Sequence, residues 1–231
     1  IRISGDENKE EIASDITVEG NTFDIKIPSV PVYYDPDTWE SSVMSEGIVF
    51  YYCEDVEFEN NNVLLNYNNA SGAYDTIYVV SVRGNPYNFD AEDPIACANV
   101  TIVNNKITAG GHGYIYGIFA AAKNLEITKN DLIIVSDDYY ANGIDVEGPS
   151  NGVVSDNDVL VISPGTAYGI YASYYNGAVE NMTYDNNTVF VQAYAACGME
   201  LLEINPVVSN NEITAEGNYT YGIVASIRDN G

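Results

Sequence analysis

The stretch NVTIVNNKI, residues 99–107, frames four β-prone residues with Asn99 on one side and the pair Asn104 and Asn105 on the other. Aligned on the second Asn of that pair, seven segments superimpose without a gap, with Asn21, Asn61, Asn105, Asn130, Asn157, Asn187 and Asn211 as the shared reference. Six positions earlier each copy carries Asn or Asp: Asp15, Asp55, Asn99, Asn124, Asn151, Asn181 and Asn205. Three positions before the reference and two after it, every copy is apolar or aromatic.

A second frame lies between these segments. Gly47, Gly117, Gly143, Gly169, Gly198 and Gly222 are each followed by Ile or Met, a variable residue, and Phe, Val, Ala or Leu. In the remaining copy, DTIYVV, Thr76 is read in the Gly place, so that Ile77 joins the row Ile48, Ile118, Ile144, Ile170, Met199 and Ile223. Apolar residues two apart mean strand rather than helix.

Successive reference asparagines are 24 to 30 residues apart in the last four steps and 40 to 44 in the first two. Such a unit holds three short strands and three turns, too little to bury its own apolar face, so it must stack on its neighbours. The predicted fold is all-β: a single-stranded right-handed parallel β-helix of about seven to eight rungs, three short strands per rung, with long loops in the N-terminal rungs. Asn tolerates the left-handed backbone of a tight corner, and its amide both donates and accepts along the stack. The asparagines are therefore expected to turn the corners and to form ladders. Residues 1–12 read as a polar cap or linker strand and residues 13–231 as the β-helix domain.

Thirty-four Asp and Glu face eight Lys and Arg, for a formal charge of −26. That balance repels phosphate backbones and anionic lipid surfaces, so nucleic acid is excluded as a partner. No apolar run of about 18 residues is present to span a bilayer, so this segment is not expected to insert in a membrane. The chain begins at Ile1 without Met and is read as a monomeric piece of a longer protein, whose targeting and anchoring parts would lie outside it. Abundant Asn, Tyr and Thr with little Lys suit an exposed, strand-rich surface protein.

The repeat GIxΦ…N-Φ-x-Φ-x-N-N-x-Φ, with Φ apolar, resembles that of parallel β-helix proteins, and with its acidic, Asn- and Tyr-rich composition the chain resembles the adhesin-like surface proteins of methanogenic archaea. The resemblance implies a secreted or wall-associated module, extracellular at the cell surface, that binds a glycan or a surface protein of another cell. It supplies no catalytic motif. Pectate lyases and polygalacturonases share the fold, but acidic polysaccharides require basic subsites, and the only basic cluster here is Lys106, Lys123 and Lys129.

Two insertions, residues 28–46 and 83–96, flank the Gly-Ile strand, whose outer face then becomes the floor of a groove. The outward row is read as Val49, Tyr78, Phe119, Asp145, Tyr171, Glu200 and Val224, with Trp39, Tyr33, Tyr34 and Tyr87 leaning over it from the loops. Trp39, Tyr78, Tyr87, Phe119, Asp145, Tyr171 and Glu200 are the candidate ligand-binding residues. Rings stack on apolar sugar faces while acids accept hydroxyl hydrogen bonds; the plainer reading is that exposed aromatics are good cross-rung strand residues.

Asp145 and Glu200 point the same way two rungs apart. Rung spacing puts them roughly 10 Å apart, just outside the roughly 6.5–9.5 Å of inverting glycosidases. A polysaccharide hydrolase or lyase is thus the alternative function, and it lacks a visible apolar pocket to raise one acid pKa. His112, in AGGHGY, has no partner that sequence identifies. The acidic groups Asp35 and Asp37, Asp90, Glu92 and Asp93, and Asp137 and Asp138 are Ca²⁺ candidates without a known loop spacing, and a solvated acidic surface with no cofactor is the preferred reading.

Cys53 and Cys97 share a register in consecutive copies and are expected to stack, as thiols without a bond in a reducing setting, because strand-to-strand stacking rarely presents the dihedral a disulfide needs, and as a pair in an oxidising one. Cys197 is left single. Sequons occur at Asn69, Asn99, Asn181, Asn186 and Asn218; Asn99 and Asn181, as ladder positions, are expected to be unmodified if that ladder is buried, which leaves Asn69 and Asn218 as the better glycan sites.

Overall fold

In the computed structural model the aligned segments become strands of three parallel sheets of eight, seven and seven strands. The structure describes residues 1–5, 12–28, 44–68, 75–84, 97–148, 150–173 and 179–226. Sheet I contains Arg2–Ser4, Met44–Tyr51, Thr76–Arg83, Tyr114–Ala120, Tyr140–Glu147, Thr166–Ser173, Ala195–Leu201 and Tyr219–Ala225. Sheet II contains Ile16–Glu19, Glu54–Glu59, Cys97–Val103, Ala122–Thr128, Ser150–Ser155, Val179–Asp185 and Val207–Ser209. Sheet III contains Thr22–Pro28, Asn62–Asn68, Lys106–Gly111, Asp131–Ser136, Asp158–Ile162, Thr188–Gln192 and Glu212–Glu216. The chain visits II, III and I in turn, so each strand pairs in parallel with the equivalent strand of the next copy. This is a parallel β-helix with three strands per rung.

Strand alternation sends one residue in two into a single continuous core. Ile118, Ile144, Ile170, Met199 and Ile223 pair in one column, and all but Ile223 are fully buried. Each such side chain contributes about 1.5–3 kcal/mol by leaving water. The column departs from expectation in one rung. Ile118 pairs with Val80, and Tyr116 with Tyr78, so Val79 and not Thr76 takes the Gly place, three residues further on. Ile77 pairs instead with Ile115. The stretch TIYVV, residues 76–80, offers two alternating phases, and a Val where the other copies carry Gly hides the correct one.

The Gly column has a steric cause. A Cβ on Gly117 would lie 2.6 Å from the Gly143 carbonyl oxygen and 2.8 Å from Ile134 Cδ1, inside the barrel of the helix. Gly117 and Ile118 therefore both face inward, which breaks the alternation and shifts the outward positions that follow.

The two tasks expected of asparagine fall on different residues. Asn21, Asn61, Asn105, Asn130, Asn157, Asn187 and Asn211 form the ladder, in which each backbone N–H and side-chain Nδ2 donates to the Oδ1 of the next. Asn130, for example, donates to Asn157 Oδ1 at 3.0 Å from both nitrogens and to the Ile102 carbonyl at 2.8 Å. The left-handed corner belongs to the preceding residue: Gly20, Asn60, Asn104, Lys129, Asp156, Asn186 and Asn210, with φ between 53° and 68°.

The row six positions before the reference is also left-handed at Asp15, Asp55, Asn99, Asn124, Asn181 and Asn205. In the remaining copy the positive φ falls on Gly152 rather than Asn151, beside a register shift. This row makes a second, solvent-exposed ladder, with Asn99 Nδ2 donating to Asp55 Oδ1 at 2.9 Å and Asn124 Nδ2 to Asn99 Oδ1 at 2.8 Å. Asn99 and Asn181 are exposed, so burial does not protect them from modification; a corner side chain points away from the core. Asn186 and Asn218 are exposed as well, and Asn69 lies outside the described residues.

Cys53 and Cys97 stack as expected: the Cys53 N–H donates to Cys97 Sγ at 3.4 Å, and both are free thiols. Arg2–Ser4 pairs with Met44–Tyr51, which makes it the first strand of sheet I.

Candidate functional site

The outer face of sheet I gathers most of the unusual chemistry. Because of the break at the Gly-Ile step, each strand presents two outward residues before the step and one or two after it. Tyr140–Glu147 thus presents Tyr140 and Asn142, then Asp145 and Glu147. Parallel pairing extends these into rows. One runs through Glu46, Tyr78, Tyr116, Asn142, Tyr168, Cys197 and Tyr221, and the next through Val49, Ser81, Phe119, Asp145, Tyr171, Glu200 and Val224.

Phe119, Asp145, Tyr171 and Glu200 share one row as expected. Tyr78 does not; the three-residue displacement of its strand puts Ser81 in that row and moves Tyr78 to the neighbouring one. Trp39 and Tyr87, with Tyr33 and Tyr34 and most of both insertions, lie outside the described residues. The row is also no open floor along its length. Val49, Ser81, Phe119 and Asp145 are buried, whereas Tyr171, Glu200 and Val224 are partly exposed.

The aromatic residues touch one another across rungs. Tyr78 stacks on Tyr116 with centroids 4.8 Å apart and meets Phe119 edge-on at 4.9 Å. Tyr116, Tyr140, Tyr168 and Tyr171 continue the path at centroid separations of 5.6, 5.9 and 5.0 Å. Such contacts add about 0.5–1.5 kcal/mol each beyond area burial. Burial among these rings pushes the Tyr168 hydroxyl up to about 12, with Glu200 adding to the shift, and drives Tyr116 and Tyr140 higher.

Two ionisable centres are embedded in this surface. At the N-terminal end the Arg83 guanidinium lies 4.5 Å from the Tyr78 ring centroid, 5.3 Å from Phe119 and 5.5 Å from Tyr51, while it donates to Glu46 and to the Tyr51 hydroxyl. Here an aromatic cage and a carboxylate enclose a cation of the protein itself.

At Asp145 the cage contains the carboxyl. Asn142 Nδ2 donates to Asp145 Oδ2 at 2.7 Å, and the other carboxyl oxygen, Oδ1, makes no hydrogen bond. Asn142 Oδ1 is likewise buried without a partner. Burial, and then the negative Glu147, hold the Asp145 carboxyl well above the usual carboxylate range. Asp145 thus lies in a buried setting that sequence did not reveal, with Phe119 and Tyr171 at the paired positions on either side.

Sequence reasoning missed Tyr116, Tyr140, Asn142, Tyr168 and the clamp of Arg83, Glu46 and Tyr51. A usable signal existed: Tyr precedes the Gly-Ile pair at Tyr116, Tyr168 and Tyr221. Elsewhere, a shallow groove on sheet II is lined by Asp15, Asp55, Asn99, Thr101, Asn124 and Glu126. Lys106 lies 3.9 Å from Asp131, and His112 Nδ1 lies 3.3 Å from Asp138 Oδ1, a partner that sequence did not identify. Among the described residues no three His, Cys, Asp or Glu side chains converge on a metal position; Asp35, Asp37, Asp90, Glu92 and Asp93 lie outside them.

Comparison with known proteins finds no matching family model, no matching curated protein and no matching solved structure. The functional reading rests on the geometry of this face.

Proposed function

We propose that the chain is a non-catalytic binding module of an extracellular surface protein of the adhesin type, which recognises a glycan or a surface protein of another cell through the outer face of sheet I. The observation that carries this reading is the unbroken path of ring contacts from Tyr78 to Tyr171, ending beside the partly exposed Glu200. Flat rings with an adjacent carboxylate fit the alternating apolar faces and hydroxyls of a neutral saccharide. A glycan array with the intact chain and with Tyr171→Ala tests it: binding to one saccharide class that falls at least tenfold in the variant supports the reading. Absence of any ligand, with Tyr171 and Trp39 replaceable without effect, would reduce the module to a spacer.

One observation favours an enzyme as the second reading, the raised pKa of the Asp145 carboxyl, since a general acid needs it. Turnover of a neutral polysaccharide that disappears in both Asp145→Ala and Glu200→Ala would establish hydrolysis over binding.

A further inference from the structure

The geometry points to a second binding site on sheet I, in which the side-chain oxygens of Asn142 and Asp145 receive a primary ammonium group between the rings of Tyr116, Tyr140 and Tyr168.

Three observations converge on it. First, two acceptor oxygens, Asn142 Oδ1 and Asp145 Oδ1, are buried without a donor, and their residues are 0% and 3% exposed. An unmet buried acceptor is costly, and most such atoms in native proteins have a partner. Second, the same face already shows what completes such a cluster. At Arg83 the rings of Tyr51, Tyr78 and Phe119 and the carboxylate of Glu46 surround a cation. Around Asp145 the rings and an acid recur, an acid that burial holds toward its protonated form and that gives up its proton as a cation enters, but the three strands that build the cluster, YIYGIFA, YANGIDVE and TAYGIYAS, contain no Lys, Arg or His. Third, the field has the right sign: Glu147 follows on the same outward line, and the chain carries −26 overall.

The chemistry selects the kind of cation. A primary ammonium has three N–H donors, enough to satisfy both oxygens and leave one for a tyrosine hydroxyl, while the rings stabilise its charge. A quaternary ammonium would enjoy the rings and leave both oxygens unmet. A divalent metal needs about six to eight oxygens in the case of Ca²⁺, and only two unmet ones are available. Burial of the carboxyl adds selectivity, because a cation that enters must replace its own hydration with these contacts.

The inference turns on the buried oxygens of Asn142 and Asp145 and the surface reading on the partly exposed Tyr171 and Glu200; they share the rings of Tyr116, Tyr140 and Tyr168, so Asp145→Asn and Tyr171→Ala are the variants that let one fail without the other. The test titrates the intact, isotopically labelled chain with methylammonium chloride, against sodium chloride and tetramethylammonium chloride at equal ionic strength. Expected are a saturable shift of the Asn142 side-chain amide resonances and a rise in the urea midpoint with methylammonium alone, both lost in Asp145→Asn and retained in Asp131→Asn, an exposed acid. Tyr168→Leu should weaken the affinity about tenfold, the effect of losing one ring contact of about 1.4 kcal/mol. Equal responses to the three salts, a response that survives Asp145→Asn, or a native chain whose Asn142 amide does not move would each overturn the proposal.

Discussion

Val79 stands at the register position that Gly117 holds in the next rung of sheet I, and Ala109 stands at the position that Ile134 holds in the next rung of sheet III. A Cβ on Gly117 would run into Ile134, so the rung that lacks the glycine also lacks the large side chain opposite. Both residues are buried in the core, and the two departures from the repeat offset each other in volume. Ala109→Ile alone should overpack the interior and cost about 1–3 kcal/mol. Adding Val79→Gly should recover part of that loss, so a double-mutant cycle by urea unfolding should give a coupling of about 1 kcal/mol. Strict additivity would show that the two sites do not share space.

The interior ladder should be sensitive in its middle and tolerant at its end. Asn130→Ala removes the Oδ1 that accepts from both Asn105 nitrogens and the donors that reach Asn157 and Ile102. Stranding several buried groups should cost about 2–4 kcal/mol. Asn21 is exposed, and among the described residues no ladder asparagine donates to its side-chain oxygen; Asn21→Ala should cost under about 1 kcal/mol. Chemical denaturation of the two variants compares them directly.

Lys129 holds φ at 58° where the other copies place Gly, Asn or Asp. A straight-chain residue pays about 1–2 kcal/mol for that conformation, and Asn pays less. Lys129→Asn should therefore raise stability by about 0.5–1 kcal/mol, measured as a higher midpoint at unchanged slope. A lower midpoint would mean that the Lys129 side chain contributes something its backbone conformation conceals.

Glu203 supplies a pH dependence whose sign can be worked out. Burial pushes its carboxyl up to about 7, while the nearby Tyr184 hydroxyl and the Met182 backbone pull it partly back. Neither Glu203 oxygen makes a well-formed hydrogen bond with a side chain, so burial dominates. The folded state holds this proton more tightly than the unfolded chain, in which Glu titrates near about 4.3. The resulting stabilisation is present in full below that unfolded value and disappears as pH rises through about 7. Across about pH 5 to about pH 8 the native chain should lose stability relative to Glu203→Gln. A difference between the two that stays constant with pH would contradict the assignment.

How far sequence reached along this molecule follows from periodicity. The asparagine ladder, the Gly column and the Ile column recur at fixed offsets, so the pairing of Ile118, Ile144 and Ile170 was readable from letters alone. The strand Thr76–Arg83 was misplaced because Ile77 and Val80 both satisfy an inward position, and only packing against Gly47 and Ile115 distinguishes them. The site was legible to the level of its rows, which put Asp145 beside Tyr171 and Glu200. Its burial was not legible, because enclosure depends on which rings lean together across rungs. Tyr116, Tyr140 and Tyr168 acquire that role only once the Gly-Ile step has reset the alternation, a backbone effect that no composition or period reports.

The three thiols give this solenoid built-in gauges at two depths. Burial holds Cys53 at about 11, Cys97 at about 12 and Cys197 at about 12, so at neutral pH almost none is in the nucleophilic thiolate form. An alkylating reagent can reach Cys53 and Cys97, which face the core, only after neighbouring turns of the coil have parted, whereas Cys197 lies on the outer face of sheet I and is freed when the side chains over it move aside. Cys53 and Cys97 sit toward one end of the stack and Cys197 toward the other. Under mild denaturant, labelling of Cys53 and Cys97 therefore reports parting of the N-terminal turns, while earlier labelling of Cys197 alone reports loosening of the outer face, with no probe added to the chain.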